Sequence, residues 1–487
     1  MTTRNRRAAK AFLALAVSVL ALFCALGILA APPAADPGFA VRMVKLAGSA
    51  DDPAAIEHVR FCRKLGFNSL WVYGHEAGAW TKAQAPNGPI LDPNFLRLAR
   101  WCRRHRMELW VSINPVDETG GKFVFTDRDA ERRLKTFIKL LKEKAGVRQF
   151  VVSFDDQPTT LHELSDVFRY GTSSAPAHLD LTRRIAAGLP SDAALWLCAA
   201  AYCDENLGDG TGPYSRPFLA GLPSLPPDIG IVWTGPTVIS PTITRADLEA
   251  TRARINGRKL LLYDNFPVND NGPDDAMALI LGALRGREAG IREVVSAYLA
   301  CPERPLAASR LSLLTTAEFL KDPEAYDPDA AAARAVARLA GRNPQAALAL
   351  ETQQLEWGGF VGSLNYWLRE DANPEVVAAR LNDPAFVESF TWTALRYPGR
   401  IAALLNLGDV AFRDDLIEVM RRRLAVARVL PLTIDYLARV RAKRPDASEV
   451  LSQITDERRS WDRDPDATRT LELFLDAAGV PSSGVTP

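Results

Sequence analysis

From Gln149 to Pro158 the chain reads QFVVSFDDQP, an apolar run closed by two consecutive carboxylates, Asp155 and Asp156. A continuous apolar run, without polar alternation, suits a strand covered on both faces, as in a parallel sheet. Working outward, runs of the same kind recur at 39–47 (FAVRMVKLA), 68–74 (NSLWVYG) and 107–113 (MELWVSI) before it. After it come 194–200 (ALWLCAA), 229–233 (IGIVW), 259–264 (KLLLYD) and 293–299 (EVVSAYL). Amphipathic stretches such as AAIEHVRFCRKLG and AERRLKTFIKLLKEK lie between them and predict helices. Eight strand–helix repeats over about 280 residues match an α/β fold of the (β/α)8 TIM-barrel type in count and length. A doubly wound open sheet is the alternative, weakened because no glycine-rich phosphate loop follows the first strand.

Beyond about Pro328 the strand signals stop, and helical spacing broken by Asn-Pro and Asp-Pro turns takes over. The reading therefore divides the chain into a leader and linker over 1–37, a barrel over 38–327 and an all-helical C-terminal domain over 328–487. In the leader, Arg4, Arg6, Arg7 and Lys10 precede an uncharged stretch from Ala11 to Ala31. A basic start before an apolar run is an export signal, and this run is also long enough to span a bilayer. It predicts an exported protein carrying either a cleaved signal or an N-terminal membrane anchor, with the body outside the cytoplasm.

Across 487 residues, 59 Lys+Arg against 58 Asp+Glu leave a net charge of +1, which provides no basic field for nucleic acid. Five cysteines outside the leader, Cys62, Cys102, Cys198, Cys203 and Cys301, are an odd and sparse set that argues against a disulfide scaffold. With five histidines and no Cys-x-x-Cys or His-x-x-x-His spacing, neither a metal site nor an organic cofactor is predicted.

A TIM barrel works from the C-terminal ends of its strands, so polar residues there are the candidates. They are His75 and Glu76, Asn114, the Asp155-Asp156 pair, Tyr202, Trp233 with Thr234, Asp264 with Asn265, and Asn269 with Asp270. Two adjacent carboxylates at a buried strand end cannot both ionise cheaply, so one should have a raised pKa. A protonated acid beside an ionised partner is what glycoside cleavage requires. Trp233 and Tyr263, aromatic residues at strand ends beside Gly and Asn, are read as sugar-stacking or pocket-wall residues, with barrel core as the alternative.

The strings VVSFDDQP, WLCAAAYC, IVWTGPTVIS and LYDNFPVND occur in an order and at a spacing that resemble glycoside hydrolase family 84. That family comprises β-N-acetylglucosaminidases, among them protein O-GlcNAcase and bacterial hyaluronidase-like enzymes. The resemblance covers roughly residues 60–330, and family members carry a helical domain after the barrel. It implies retaining cleavage of terminal β-N-acetylglucosamine from a glycan or glycoconjugate, with the substrate's own 2-acetamido oxygen as nucleophile. On that basis Asp155 polarises the acetamido N–H and Asp156 serves as acid, then base. Tyr202 contacts the acetamido group, Asn265 and Asp270 bind sugar hydroxyls, and Tyr263 stands where the family has tryptophan.

Three departures surround one sugar subsite. The first strand reads VRMVKLAG in place of the family's glycine- and aromatic-rich pattern. His75 stands where the family has a hydroxyl-binding lysine, and Cys301 where it has asparagine. They point to an altered glycone preference: a hexosaminidase for another acetamido sugar, or a non-catalytic glycan-binding protein on the same barrel, are the alternatives.

Overall fold

The computed structural model describes residues 38–268, 280–356 and 383–461, with residue 379 and scattered positions between 468 and 480. Eight strands form the barrel: β1 (Arg42–Lys45), β2 (Ser69–Tyr73), β3 (Glu108–Ile113), β4 (Gln149–Ser153), β5 (Ala194–Cys198), β6 (Gly230–Trp233), β7 (Leu260–Asp264) and β8 (Val295–Ala300). Each pairs in parallel with its neighbour in sequence, and β8 returns to pair with β1 through Tyr298 opposite Arg42, so the sheet closes. Seven of the eight lie inside the runs expected from the sequence, and β8 extends one residue further.

Acidic caps start the intervening helices. Asp52 accepts from the Ala54 backbone N–H ahead of helix Pro53–Leu65, and Asp92 and Asp127 do the same for Pro93–Arg104 and Arg128–Leu140. Each cap satisfies backbone donors that the first turn leaves without a partner. Proline opens the first two of these helices, where its missing N–H costs nothing.

Every strand is buried on both faces, and its side chains divide by the two-residue period. One phase fills the barrel interior with Met43, Trp71, Trp110, Val151, Trp196, Val232 and Leu261. The other phase, including Val44, Leu70, Val111, Phe150, Leu197, Ile231 and Leu262, packs against the surrounding helices. Gly230 is required inside: a Cβ there would stand 2.2 Å from the Trp196 ring.

After the barrel, helices Pro328–Ala340, Pro344–Glu356, Pro384–Leu404, Val410–Arg441 and Ala447–Arg459 form the C-terminal region. Their core takes in Ala308 from the turn Ala307–Ser309 and Leu311 and Leu314 from helix Arg310–Lys321, so the two parts share a hydrophobic seam. Arg310 binds Asp409 across it, and Asp415 accepts from the Ala307 backbone N–H at 2.7 Å.

Candidate active site

A cavity of about 220 Å3 opens at the C-terminal ends of the strands. Its wall continues the inward phase of every strand except β3. Lys45 ends β1, Tyr73 ends β2, Ser153 ends β4 and Cys198 ends β5, while Thr234 and Cys301 follow β6 and β8 by one residue. Asp155, two residues past Ser153, keeps that phase and enters the cavity. Asp156 should then point away, but its φ of 56° lies in the left-handed region and turns its carboxylate back to the cavity mouth. Aspartate tolerates that conformation better than most residues. A single strained residue thus lets two consecutive aspartates address one space.

Their surroundings differ. Asp155 is partly buried and accepts a short hydrogen bond from the Ser153 hydroxyl, while its backbone carbonyl accepts from Asn114 Nδ2 at 3.4 Å. Burial pushes its carboxyl above the ordinary value, the Ser153 bond partly offsets this, and the neighbouring Asp156 charge adds to the rise. Asp156 is solvent-exposed and accepts from the Tyr202 hydroxyl at 2.6 Å. Burial and this bond together raise the Tyr202 phenol, keeping it a proton donor. Among the described residues of the cavity wall, Asp155 and Asp156 are the acids, and no carboxylate faces them from the opposite side.

That opposite side is built by Lys45, Tyr73, Tyr263 and Cys301. The Tyr73 and Tyr263 hydroxyls are 3.2 Å apart, and Tyr263 Oη is 3.4 Å from Cys301 Sγ. Lys45 forms an ion pair with Glu303 and lies 5.4 Å from the Tyr73 ring centroid. Asn265 enters the cavity with its Nδ2 donating to the Val238 carbonyl at 2.8 Å. Just before it, Asp264 is withdrawn into a buried cluster, bound by Arg287 through Nη2 at 2.6 Å and Nε at 2.8 Å and by the Tyr298 hydroxyl.

The structure therefore brings Asp155, Asp156, Tyr202, Tyr263, Asn265 and Cys301 together around one cavity. It corrects two expectations. Trp233 is fully buried on the outward phase of β6, packed among strand–helix contacts, and Val232 faces the cavity in its place. His75 sits on the short helix Gly74–Ala77 and does not line the cavity: its ring stacks on Tyr73, centroids 5.6 Å apart, with Glu76 at 3.5 Å. Asp270 lies outside the described residues. Lys45, Tyr73, Ser153 and Cys198 are cavity residues not nominated from the sequence, although the strand period marks them, Lys45 standing two after the inward Met43.

A larger cleft of about 580 Å3 lies on the outside of the barrel, between helix Arg128–Leu140 and the residues following helix Ala175–Ala186. Several of its charges are already matched, as Lys135 with Glu131 at 2.7 Å, and it is remote from the strand ends where the carboxylates converge. The strand-end cavity is the better candidate.

Residues 92–353 match the family described as beta-N-acetylglucosaminidase. The proteins named Protein O-GlcNAcase from Rattus norvegicus and Mus musculus are 25% and 26% identical over 235 and 233 residues, 47% of this chain and 24% of theirs. The chain thus matches about a quarter of the length of those relatives. Among solved structures, a mutant of the Thermobaculum terrenum O-GlcNAc hydrolase superposes with a TM-score of 0.61 at 19% identity, covering 90% of this chain and 94% of that one. CpGH84B gives 0.55 at 17% identity, over 89% and 77% of the two chains. At these identities the likeness concerns the fold, whereas the match over more than half of the sequence carries the assignment: this chain belongs to the β-N-acetylglucosaminidase family, the glycoside hydrolases of family 84.

Proposed function

We propose that the chain is an exported, retaining β-N-acetylglucosaminidase that uses the substrate's 2-acetamido group as nucleophile. The observation that carries this reading is the adjacency of Asp155 and Asp156 at one side of a cavity whose described wall has no opposing carboxylate. Ordinary retaining glycosidases need two carboxyl groups facing each other across about 5 Å, one of them attacking the anomeric carbon. Adjacent aspartates cannot flank the sugar in that way, which favours an attacking oxygen supplied by the substrate itself.

In the first step the acetamido oxygen bonds to C1 as the bond from C1 to the leaving oxygen breaks. Asp156, exposed at the mouth, gives its proton to that oxygen. Asp155 accepts the acetamido N–H, and its raised proton affinity suits a group that must hold a proton more tightly as positive charge grows on the oxazoline ring. In the second step Asp156 takes a proton from water, the water oxygen bonds to C1, and the ring opens with retention. We assign to Tyr202, whose hydroxyl donates to Asp156, the role of holding the acetamido group. Terminal β-N-acetylglucosamine on a glycan or glycoconjugate is the proposed substrate. The export leader lies outside the described residues, and none of the described helices is long and apolar enough to cross a membrane.

The test compares aryl β-N-acetylglucosaminide, β-N-acetylgalactosaminide and β-glucoside with wild type, Asp155→Ala and Asp156→Ala. Both acetamido substrates should outpace the glucoside, and each variant should lose about 10²–10⁴-fold in rate. For Asp156→Ala the loss should shrink with better leaving groups. Equal turnover of the plain glucoside would falsify the neighbouring-group mechanism, and binding without turnover of any substrate would leave a glycan-binding protein.

A further inference from the structure

Glu118 lies on the turn Asp117–Thr119 after β3, outside the cavity wall, and joins the loop after β2 to the end of β3. Its Oε2 accepts from the indole N–H of buried Trp80 at 2.5 Å, and its Oε1 accepts from the Asn114 backbone N–H at 3.2 Å. The same carboxyl packs on the backbone of Gly74, where a Cβ would stand 2.4 Å from Oε1. Gly74 and Trp80 belong to the loop after β2, and Asn114 to the end of β3. Asn114 in turn donates its side-chain amide to the backbone carbonyl of Asp155. A continuous chain of contacts therefore runs from Trp80 through Glu118 and Asn114 to the backbone of Asp155.

Both Glu118 oxygens act as acceptors, which is the pattern of a carboxylate. Protonation removes the charge that strengthens both bonds and turns one oxygen into a hydroxyl, a weaker acceptor, so the grip on Trp80 and Asn114 slackens. Burial opposes the charge and raises the Glu118 carboxyl to about 7, against the pull of Trp80, His75 and Asn114. The titratable groups facing it are His75, beside Glu76, from the loop after β2, and Asp117 from its own turn. The His75 imidazole is itself raised, first by its hydrogen bond to Glu76 and then by Glu118 and Asp117, with burial acting in the opposite sense.

We propose that Glu118 is a positioning residue for the reaction: as a carboxylate it locks the loops after β2 and β3 and, through Asn114, holds the backbone of Asp155, and on protonation it releases them. This rests on the catalytic role of Asp155 proposed above. Because Glu118 acts through the Asp155 backbone, and the Asp155 bond to the acetamido N–H matters most as charge grows on the oxazoline ring, its effect should fall more on kcat than on KM.

The experiment pairs a kinetic and a spectroscopic pH profile on the full chain. The Trp80 indole N–H resonance, assigned by its absence from Trp80→Phe, should titrate near pH 7 in wild type and stay flat in Glu118→Gln. With aryl β-N-acetylglucosaminide, wild-type kcat should rise through the same pH. Glu118→Gln can satisfy only one of the two donors, so its kcat should lack that inflection and sit about 10-fold below the wild-type plateau, as loss of one hydrogen bond to a charged group implies. Asn114→Ala severs the link and spares Glu118. It should lower kcat comparably while the indole still titrates. An indole that does not titrate, an inflection retained in Glu118→Gln, or an unchanged kcat in Asn114→Ala overturns the proposal while wild type remains an active acetamido-glycosidase. Absence of hydrolysis by wild type instead overturns the function on which it rests.

Discussion

Asp264 and Arg287 offer a stringent test of how the strand-end architecture is held. The two side chains are 1% and 5% exposed, and the guanidinium grips both carboxylate oxygens, at 2.6 and 2.8 Å. Burial alone would depress the Arg287 guanidinium, but the Asp264 charge more than offsets it and the group is held firmly protonated. Asp264→Asn keeps the shape, removes the negative charge and turns an N–H2 towards groups that already donate. Arg287 retains the Pro241 and Arg285 carbonyls, at 3.0 and 2.8 Å, so its desolvation is partly met. Each hydrogen bond between charged groups contributes about 1.5–3 kcal/mol, and breaking one partner of a buried pair costs about 3–5 kcal/mol. We expect the lower end, about 3 kcal/mol, because of those two carbonyls. Urea unfolding followed by tryptophan fluorescence should show it as a lower midpoint at an unchanged slope. Adding Arg287→Met removes the stranded charge, so the double variant should lose clearly less than the sum of the singles. A loss below about 1 kcal/mol for Asp264→Asn, or simple additivity, would refute the claim that the pair is held by mutual compensation in a dry environment.

Two further outcomes follow from the corrected map of the site. Lys45→Met keeps the aliphatic stem and removes the ammonium that Glu303 and Tyr73 hold at the cavity wall; kcat/KM for acetamido glycosides should fall by about 10-fold or more, measured by steady-state kinetics, whereas an unchanged value would show that Lys45 binds no part of the sugar. Trp233→Phe, in the strand–helix core, should cost about 1–3 kcal/mol in the same urea assay and leave KM unaltered, and a selective rise in KM would return Trp233 to the sugar site.

The barrel was legible because a parallel sheet covered on both sides demands long apolar runs, and few other structures do. The Asp155-Asp156 pair was legible because it terminates one of them. A strand end fixes a position along the barrel axis, and only the strand's two-residue phase fixes which side chain points inward. Counted in twos from the inward residues, Val232 and Thr234 face the cavity and Trp233 cannot. The same count from Met43 brings Lys45 in. His75 was misplaced for another reason: Gly74 begins a helical turn at once, so strand phase no longer governs, and the imidazole swings onto the Tyr73 ring.

Glu118 marks a limit of a different kind. Nothing in NPVDETGG distinguishes it from the exposed Asp117 beside it, since both read as acids in a surface turn. Its character comes from Trp80 and Gly74, which lie about forty residues away and approach only because β2 and β3 are adjacent in the sheet. A carboxyl's proton affinity is set by what surrounds it, and here the surroundings are supplied by the barrel's closure. The sequence can therefore nominate the groups that line the cavity, because strand period dictates their direction. It cannot nominate those that act one contact further out. For this fold that divides the site in two: an inner ring readable by counting, and an outer ring whose chemistry exists only once neighbouring loops have packed.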